Sequence, residues 1–361
     1  MLGSLYRDPK IVILAILTLF IKLFSLRSDW VERYYTYGFY PVAANTQRLL
    51  FGWIPFSIGD LLYLAAGIYL IRKIWLMIRA WRRKTNRRAL IWAFALRLIR
   101  VVLFVYVLFN VLWGMNYDRE GISPQLGIDI KRYSTEELRE LAGLLQTKLN
   151  DCAAQVDTLR RQELNKNNTL FEQGIMAYDQ IKDQYPFLTY DHPSIKPSMY
   201  SSIGQYFGFT GYYNPFSGEA QLKTSVPVFL KPFIITHEIG HQLGYGKENE
   251  ANFVGYLACR NSANVDFRYS AYFEMTLYVL SDLRSKDSMA VKQFKAAWHP
   301  RVYNDYRSYL NYLMQTRNRV EPIIMHFYDQ YLKLNNQPMG KETYNEVVAW
   351  LVAYMKKYRE V

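Results

Sequence analysis

Hydrophobic positions follow two regimes along the chain. In the first third they run on without a period; beyond it they recur at helical spacing among polar residues. Ile11 to Leu26 is apolar except for Thr18, Lys22 and Ser25, and Ile54 to Ile71 carries a single charge, Asp60. Leu98 to Trp113 has Arg100 near its start, then an apolar run broken only by Asn110. A helix rising about 1.5 Å per residue needs about 20 residues to cross the hydrocarbon. With their flanks the runs reach that length, predicting three transmembrane helices at about residues 10–27, 52–72 and 96–115.

From Asp118 the pattern becomes that of a globular protein. Ser134-Thr-Glu-Glu-Leu has capping chemistry and opens an amphipathic helix expected to run to about Arg161. A polar break at Lys166–Asn168 precedes a second helix, about Leu170 to Gln184. Residues 190–226 are rich in Gly, Pro, Tyr, Ser and Phe, with turn signals at Asn214-Pro215 and Ser217-Gly218. They predict a small β element with a hairpin around Tyr213 to Ala220. After Pro232 the chain reads as helical to its end, with breaks near Gly244–Lys247, Ser262–Asn264, His299-Pro300 and Asn335–Gly340. The expected fold is mainly α with a small β element. A membrane domain (1–117) precedes an extracytoplasmic domain (118–361).

Charge sharpens this division. The 361 residues carry 44 Lys+Arg and 31 Asp+Glu, a net +13 that resembles a nucleic-acid signal until it is located. Residues 1–114 hold 16 basic and 4 acidic side chains, and 115–361 hold 28 and 27. The excess therefore lies in the greasy third, which argues for a lipid bilayer and against nucleic acid. Arg72 to Arg88 contains eight Lys/Arg and no acid, the composition of a cytoplasmic loop, with Arg97 and Arg100 able to snorkel to the same face. The N-terminus is then inside, Arg27–Trp53 outside, and everything after about Met115 outside. Trp30, Tyr34, Tyr35, Tyr37 and Tyr40 fit an interfacial aromatic belt in the first outer loop. No small-residue cleavage site follows the first run, which reads as an uncleaved anchor. Gly59-Asp60 is read as a helix start near the outer interface. Cys152 and Cys259, the only cysteines, exclude a disulfide scaffold or Cys-rich zinc module and read as two separate buried thiols.

The chemistry lies in His237-Glu238-Ile239-Gly240-His241, an H-E-x-x-H pattern. Residues four apart share a helix face, so both imidazoles can hold one metal ion, with Zn2+ the expected cofactor. Glu238, offset by one position, reaches the water on the metal rather than the metal. Zinc brings the pKa of that water to about 7, and Glu238 is placed to accept its proton as general base. The apolar Phe233-Ile-Ile ahead of the motif suits a helix crossing the domain centre.

A catalytic zinc wants three protein ligands. Gly244 and Gly246 turn the chain after the motif helix, and a new helix starts at Glu248. The residues sharing a face with Glu248 are Ala251, Asn252, Gly255 and Cys259, all small enough for close approach to the motif helix. Glu250 shares its face with Phe253, Val254 and Leu257, which are bulky and core-like. Glu248 is therefore the expected third ligand and Glu250 the second choice. Asn252, one turn on, is placed to orient a metal-binding histidine.

His237–His241 followed by Glu248-x-x-Ala251-Asn252 resembles the gluzincin arrangement of zinc metallopeptidases, with Asn252 where Asp is common. Nearly the whole chain resembles the DUF3810 family of bacterial membrane proteins. Gly52–Tyr63, Trp113–Tyr117, Gly208–Ala220, the motif and Tyr328–Asn335 carry the likeness. The resemblance implies a zincin-like peptidase domain behind transmembrane helices, in the bacterial inner membrane with the catalytic domain on its periplasmic or outer side. The expected activity is hydrolysis of peptide bonds in soluble or juxtamembrane peptide or protein substrates, the motif lying far along the chain from the last apolar run. The alternatives are another zinc amide hydrolase acting on cell-envelope material and a non-catalytic membrane scaffold with a retained metal site. Zincins bind extended peptide along the edge strand before the motif helix, which points to Gly218–Thr224. An oxyanion stabiliser is expected from His299, His326 or Tyr344; His192, before Pro193, is a weaker choice.

Overall fold

In the computed structural model, residues 8–83, 87–335 and 344–361 are described, with the side chains of Tyr344 and Asn345 excepted. The protein is mainly helical with one small sheet. Two helices, Ile58–Arg83 and Arg87–Leu112, are long and apolar enough to cross a membrane, and their apolar windows lie wholly on the outside of the molecule. Both are longer than the predicted spans. The basic stretch expected as a loop from Arg72 to Arg88 instead extends both helices, leaving only residues 84–86 outside the described chain. Long straight-chain Lys and Arg are good helix formers, so charge alone does not end a helix.

The first apolar run departs further from expectation. Pro9–Ser25 is helical, capped by Asp8, and is followed at once by a second helical stretch, Ser28–Phe51, bent from it by 100°. The pair has the length and composition of a broken span or a re-entrant loop, so the candidate spans number two or three. The expected outer loop is thus helical, with a π-helical segment at Val31–Phe39. Its aromatic residues divide. Trp30, Tyr34 and Tyr37 are exposed, whereas Tyr35 and Tyr40 are buried in a cluster with Val31, Trp113, Met115 and Tyr117.

In the remainder, Ser134 caps Thr135–Gln155 through the expected capping box. That helix stops short of Arg161: Asp157 caps a separate short helix, Thr158–Glu163, because its side chain competes for the backbone N–H of Arg160. The next helix is Asn167–Asp179. Arg161 turns inward, its guanidinium bonded to Asp266 at 2.7 Å and Asp305 at 2.6 Å. The motif helix (Lys231–Gln242), the following helix (Glu248–Arg260) and Val265–Lys286 form the centre, packed around Phe253, Tyr256, Phe267 and Phe273.

The sheet has three strands in the order β1-β3-β2: β1 Ile195–Pro197, β2 Gly211–Asn214 and β3 Glu219–Leu222. β2 and β3 form the predicted hairpin, pairing Tyr213 with Ala220, and β1 adds in parallel, Ile195 beside Ala220. This corrects the expected substrate edge. β3 is paired on both sides, so its backbone groups are spent, and the edge beside the motif helix is β2.

The sheet also grips the membrane helices. Glu219 accepts hydrogen bonds from the backbone N–H of Ile58 (3.0 Å) and Gly59 (2.7 Å), and from Ser57 Oγ (3.1 Å). A strand carboxylate therefore caps the orphan N–H groups and positive end of a spanning helix. Asp60 takes the part expected of it at a helix start: it is buried and accepts from Met199 N at 2.7 Å and from Tyr212 Oη. Lys196 Nζ donates to the carbonyls of Gly52 (2.6 Å) and Ile54.

Candidate metal centre

The motif lies on the motif helix as its spacing requires, with the two imidazole rings 4.7 Å apart and nearly perpendicular. Glu248 opens the following helix and spans both rings, Oε2 lying 3.4 Å from His237 Nε2 and Oε1 3.7 Å from His241 Nε2. The close approach expected of the small-residue face is present. A Cβ on Gly255 would sit 2.9 Å from the backbone nitrogen of His237, and one on Gly240 3.4 Å from the Ala251 carbonyl oxygen. Glu250 goes elsewhere, packing against Gly121 with Lys247 Nζ 3.8 Å away.

The ring orientations are set from behind. His241 Nδ1 lies 2.7 Å from the Tyr245 carbonyl, which selects the tautomer with the proton on Nδ1 and leaves Nε2 facing Glu248. Asn252 lies beside His237 as expected. Its Nδ2 and His237 Nδ1 have no hydrogen-bond partner among the described residues. Tyr328 donates from its hydroxyl to Glu248 Oε1 at 2.6 Å. This partner, on the helix Glu321–Leu334, had no local signal among 31 tyrosines.

Burial and charge give each group a different proton affinity. Burial pushes Glu238 up to about 8, opposed by His237. Burial and the neighbouring His237 push His241 down to about 4. Glu248 is buried too, which alone would raise it, but its hydrogen bond with His237 and the charges of both imidazoles bring it to about 2. Burial depresses His237, and the adjacent Glu248 and Glu238 carboxylates more than reverse that.

These residues fit a metal ion. Donor atoms of His237, Glu238 and His241 lie within 4.8 Å of one another, and Glu248 presents its carboxylate to both Nε2 atoms. Two imidazoles with a carboxylate presented to both Nε2 atoms are a ligand set suited to zinc. Glu238 Oε2, buried and without a hydrogen-bond partner among the described residues, is the carboxylate left over.

The centre forms the floor of a cleft of about 630 Å³. β2 flanks it so closely that a Cβ on Gly211 would lie 2.5 Å from Glu238 Oε1. A second carboxylate, Glu274 on Val265–Lys286, lines the wall beside Tyr278 and is pushed by burial up to about 7. The opposite wall brings the site, far along the chain from the last apolar run, next to the spans. Tyr63, Phe109 and Trp113 line it, the first two belonging to the spanning helices. Trp113 Nε1 donates to the His241 carbonyl at 2.9 Å, and the Tyr40 hydroxyl to that of Gln242 at 2.6 Å. The last carbonyls of the motif helix, which have no intrahelical partner, are thus satisfied by membrane-proximal side chains.

His299, His326 and His192 do not line the cleft. His299 caps the helix Pro300–Thr316, its Nδ1 accepting from Arg301 N at 3.2 Å. His326 is exposed on Glu321–Leu334, whose cleft-facing residues are Ile324, Met325, Tyr328 and Tyr331. His192 adopts a positive φ of 51° in an exposed turn. Tyr344 opens the last helix, and its side chain lies outside the described residues. Cys152 and Cys259 are buried free thiols.

No curated protein and no solved structure matches the chain. The family model DUF3810, described as a protein of unknown function, matches residues 35–352. The chain belongs to the DUF3810 family, whose matched region takes in both spanning helices, the sheet and the whole of the candidate centre.

Proposed function

We propose that the protein is a membrane-anchored, zinc-dependent metallopeptidase of gluzincin type, with a zincin-like domain facing the outer side of a bacterial inner membrane. The observation that carries this reading is the convergence of His237, His241 and Glu248 while Glu238, one position off the ligand face, keeps an unpartnered oxygen over the cleft. The H-E-x-x-H then E-x-x-A-N spacing supports it. His237, His241 and Glu248 are the residues that would hold the ion. When bound, zinc supplies the Lewis acidity that makes water and a peptide carbonyl reactive near neutral pH.

The chain's own residues do the rest. Glu238 takes a proton from the attacking water and returns it to the leaving amine. The Tyr245 carbonyl holds His241 in the right tautomer, and the Tyr328 hydroxyl holds Glu248. β2 offers its free edge to an extended peptide next to Glu238, by strand addition. A structural metal site has no use for a base beside the metal, which weighs against the scaffold alternative. A different amide of the cell envelope would use the same centre, and only substrate profiling separates the two.

The test is hydrolysis of a fluorescence-quenched peptide mixture by the full chain in detergent. Turnover that a zinc chelator stops, and that Glu238→Gln removes without loss of bound zinc, supports the reading. A folded, zinc-loaded wild type that cleaves nothing while Glu238→Gln leaves cells unaffected favours the scaffold.

A further inference from the structure

The cleft is roofed by residues of the spanning helices, and the elements at its mouth carry exposed apolar side chains. The helix Glu321–Leu334 lies across the outer ends of both spans. At its start, Glu321 and Met325 pack on Gly208, and the loop leading to Gly208 is tied to a span through Met199 N and the Tyr200 hydroxyl, both bonded to Asp60. Near its end, the Tyr331 ring lies 6.3 Å from that of Phe109 on the other span. One face of this helix lines the cleft. The adjoining face holds Ile323 and Phe327, 60% and 68% exposed. Beside it the loop presents Met199, Ile203, Tyr206 and Phe207, all exposed. The end of the preceding helix adds exposed Met314 and the turn after it exposed Val320, with Arg317 and Arg319 exposed in that turn. Apolar side chains bordered by arginines, on a helix lying beside membrane spans, make a surface that seats in a lipid interface.

We propose that this rim sits in the outer leaflet of the membrane that holds the spans, and that the cleft takes a polypeptide segment tethered to that leaflet. This inference rests on the peptidase reading and narrows its substrate. The occupant of the rim is lipid, because the loop and helix that form it are held against the ends of the two spans, at Asp60 and at Phe109, and the apolar windows of those spans lie wholly on the outside of the molecule. A tethered segment reaches β2 and Glu238 without leaving the interface, and its anchor raises its effective concentration at the cleft mouth.

Two measurements on the full chain in phosphatidylethanolamine–phosphatidylglycerol vesicles test this. Nitroxide labels at Phe207→Cys and Phe327→Cys are compared with Ile68→Cys, exposed on a span, and with Leu159→Cys, exposed on the helix Thr158–Glu163, for accessibility to oxygen and to a nickel chelate. Lipid-like values at 207 and 327 are expected, and values matching 159 would overturn the rim assignment. Next, p-benzoylphenylalanine at Phe216 in the cleft is photo-cross-linked to a fluorescent casein peptide, with or without an N-terminal palmitoyl chain. The tethered form should cross-link at least about tenfold more. Equal cross-linking would overturn the substrate class. Neither readout needs turnover, so a tethered probe that cross-links but is never cut would count against hydrolysis alone.

Discussion

The two walls of the cleft are built by different means. One wall, from Phe233 to Asn252, comes from a short continuous stretch whose side chains meet because helical periodicity and two glycines place them there. The rest comes from five distant segments: the first turns of one span, the end of another, residues 207–216 with β2, the helix Val265–Lys286 through Glu274 and Tyr278, and the helix Glu321–Leu334. The first wall sets the chemistry. The second decides what can reach it, and the motif helix depends on it for its last hydrogen bonds, through Trp113 and Tyr40.

Breaking the first wall at its base should have the largest effect. Glu238→Gln should lower turnover by about 10²–10⁴-fold with zinc retained, measured as the rate on a cleaved peptide beside metal content. Gly255→Ala attacks the same wall through packing. Its new methyl meets the His237 backbone at 2.9 Å, which neither helix can avoid by rotating a side chain. A loss of about 1–3 kcal/mol, read as a lower Tm in detergent, should accompany weaker zinc binding. An unchanged Tm and zinc affinity would mean that the helices separate at no cost.

The second wall should respond differently. Glu219→Ala strands the N–H groups of Ile58 and Gly59 in buried surroundings, at a cost of about 1–3 kcal/mol. Hydrogen exchange should quicken at Ile58 and Gly59 while zinc binding persists. Loss of zinc as the first consequence would show that the walls are not separable.

The smallest effect expected is at Glu274. Its carboxyl is raised by burial to about 7, so the folded state holds a proton the unfolded chain has released. That contribution is complete below the ordinary glutamate range and is lost as pH rises through about 7. Metal-free Glu274→Gln should therefore match the wild type near pH 4 and exceed it in stability by about 1 kcal/mol at pH 8, read as a higher Tm there. A gain that is the same at both values would assign the effect to packing.

What could be read from the sequence follows the same division. The H-E-x-x-H face, the placement of Glu248 and not Glu250 beside the two histidines, the Ser134 capping box and the β2–β3 hairpin all rest on spacings of a few residues. Periodicity determines those. Tyr328 on Glu248, Glu219 on the spanning helix and Trp113 on His241 join residues that local pattern cannot pair. The stretches Gly52–Tyr63 and Gly208–Ala220 stood out in the sequence as separate pieces; in the fold Gly59 lies directly against Asn214 and Ser217. The 100° bend after the first apolar run was not legible, because length and composition say nothing of a bend. The basic stretch misled because positive charge marks a membrane side and not a helix end.

The most direct test of a zinc centre is the metal content of the purified full chain beside His241→Ala, Glu248→Ala and Glu250→Ala. The full chain is required because Trp113 and Tyr40 complete the motif helix. About one zinc per chain, lost in the first two variants and kept in Glu250→Ala, is the expected result. A well-folded wild type that binds no zinc, or zinc lost with Glu250 but not with Glu248, would contradict it.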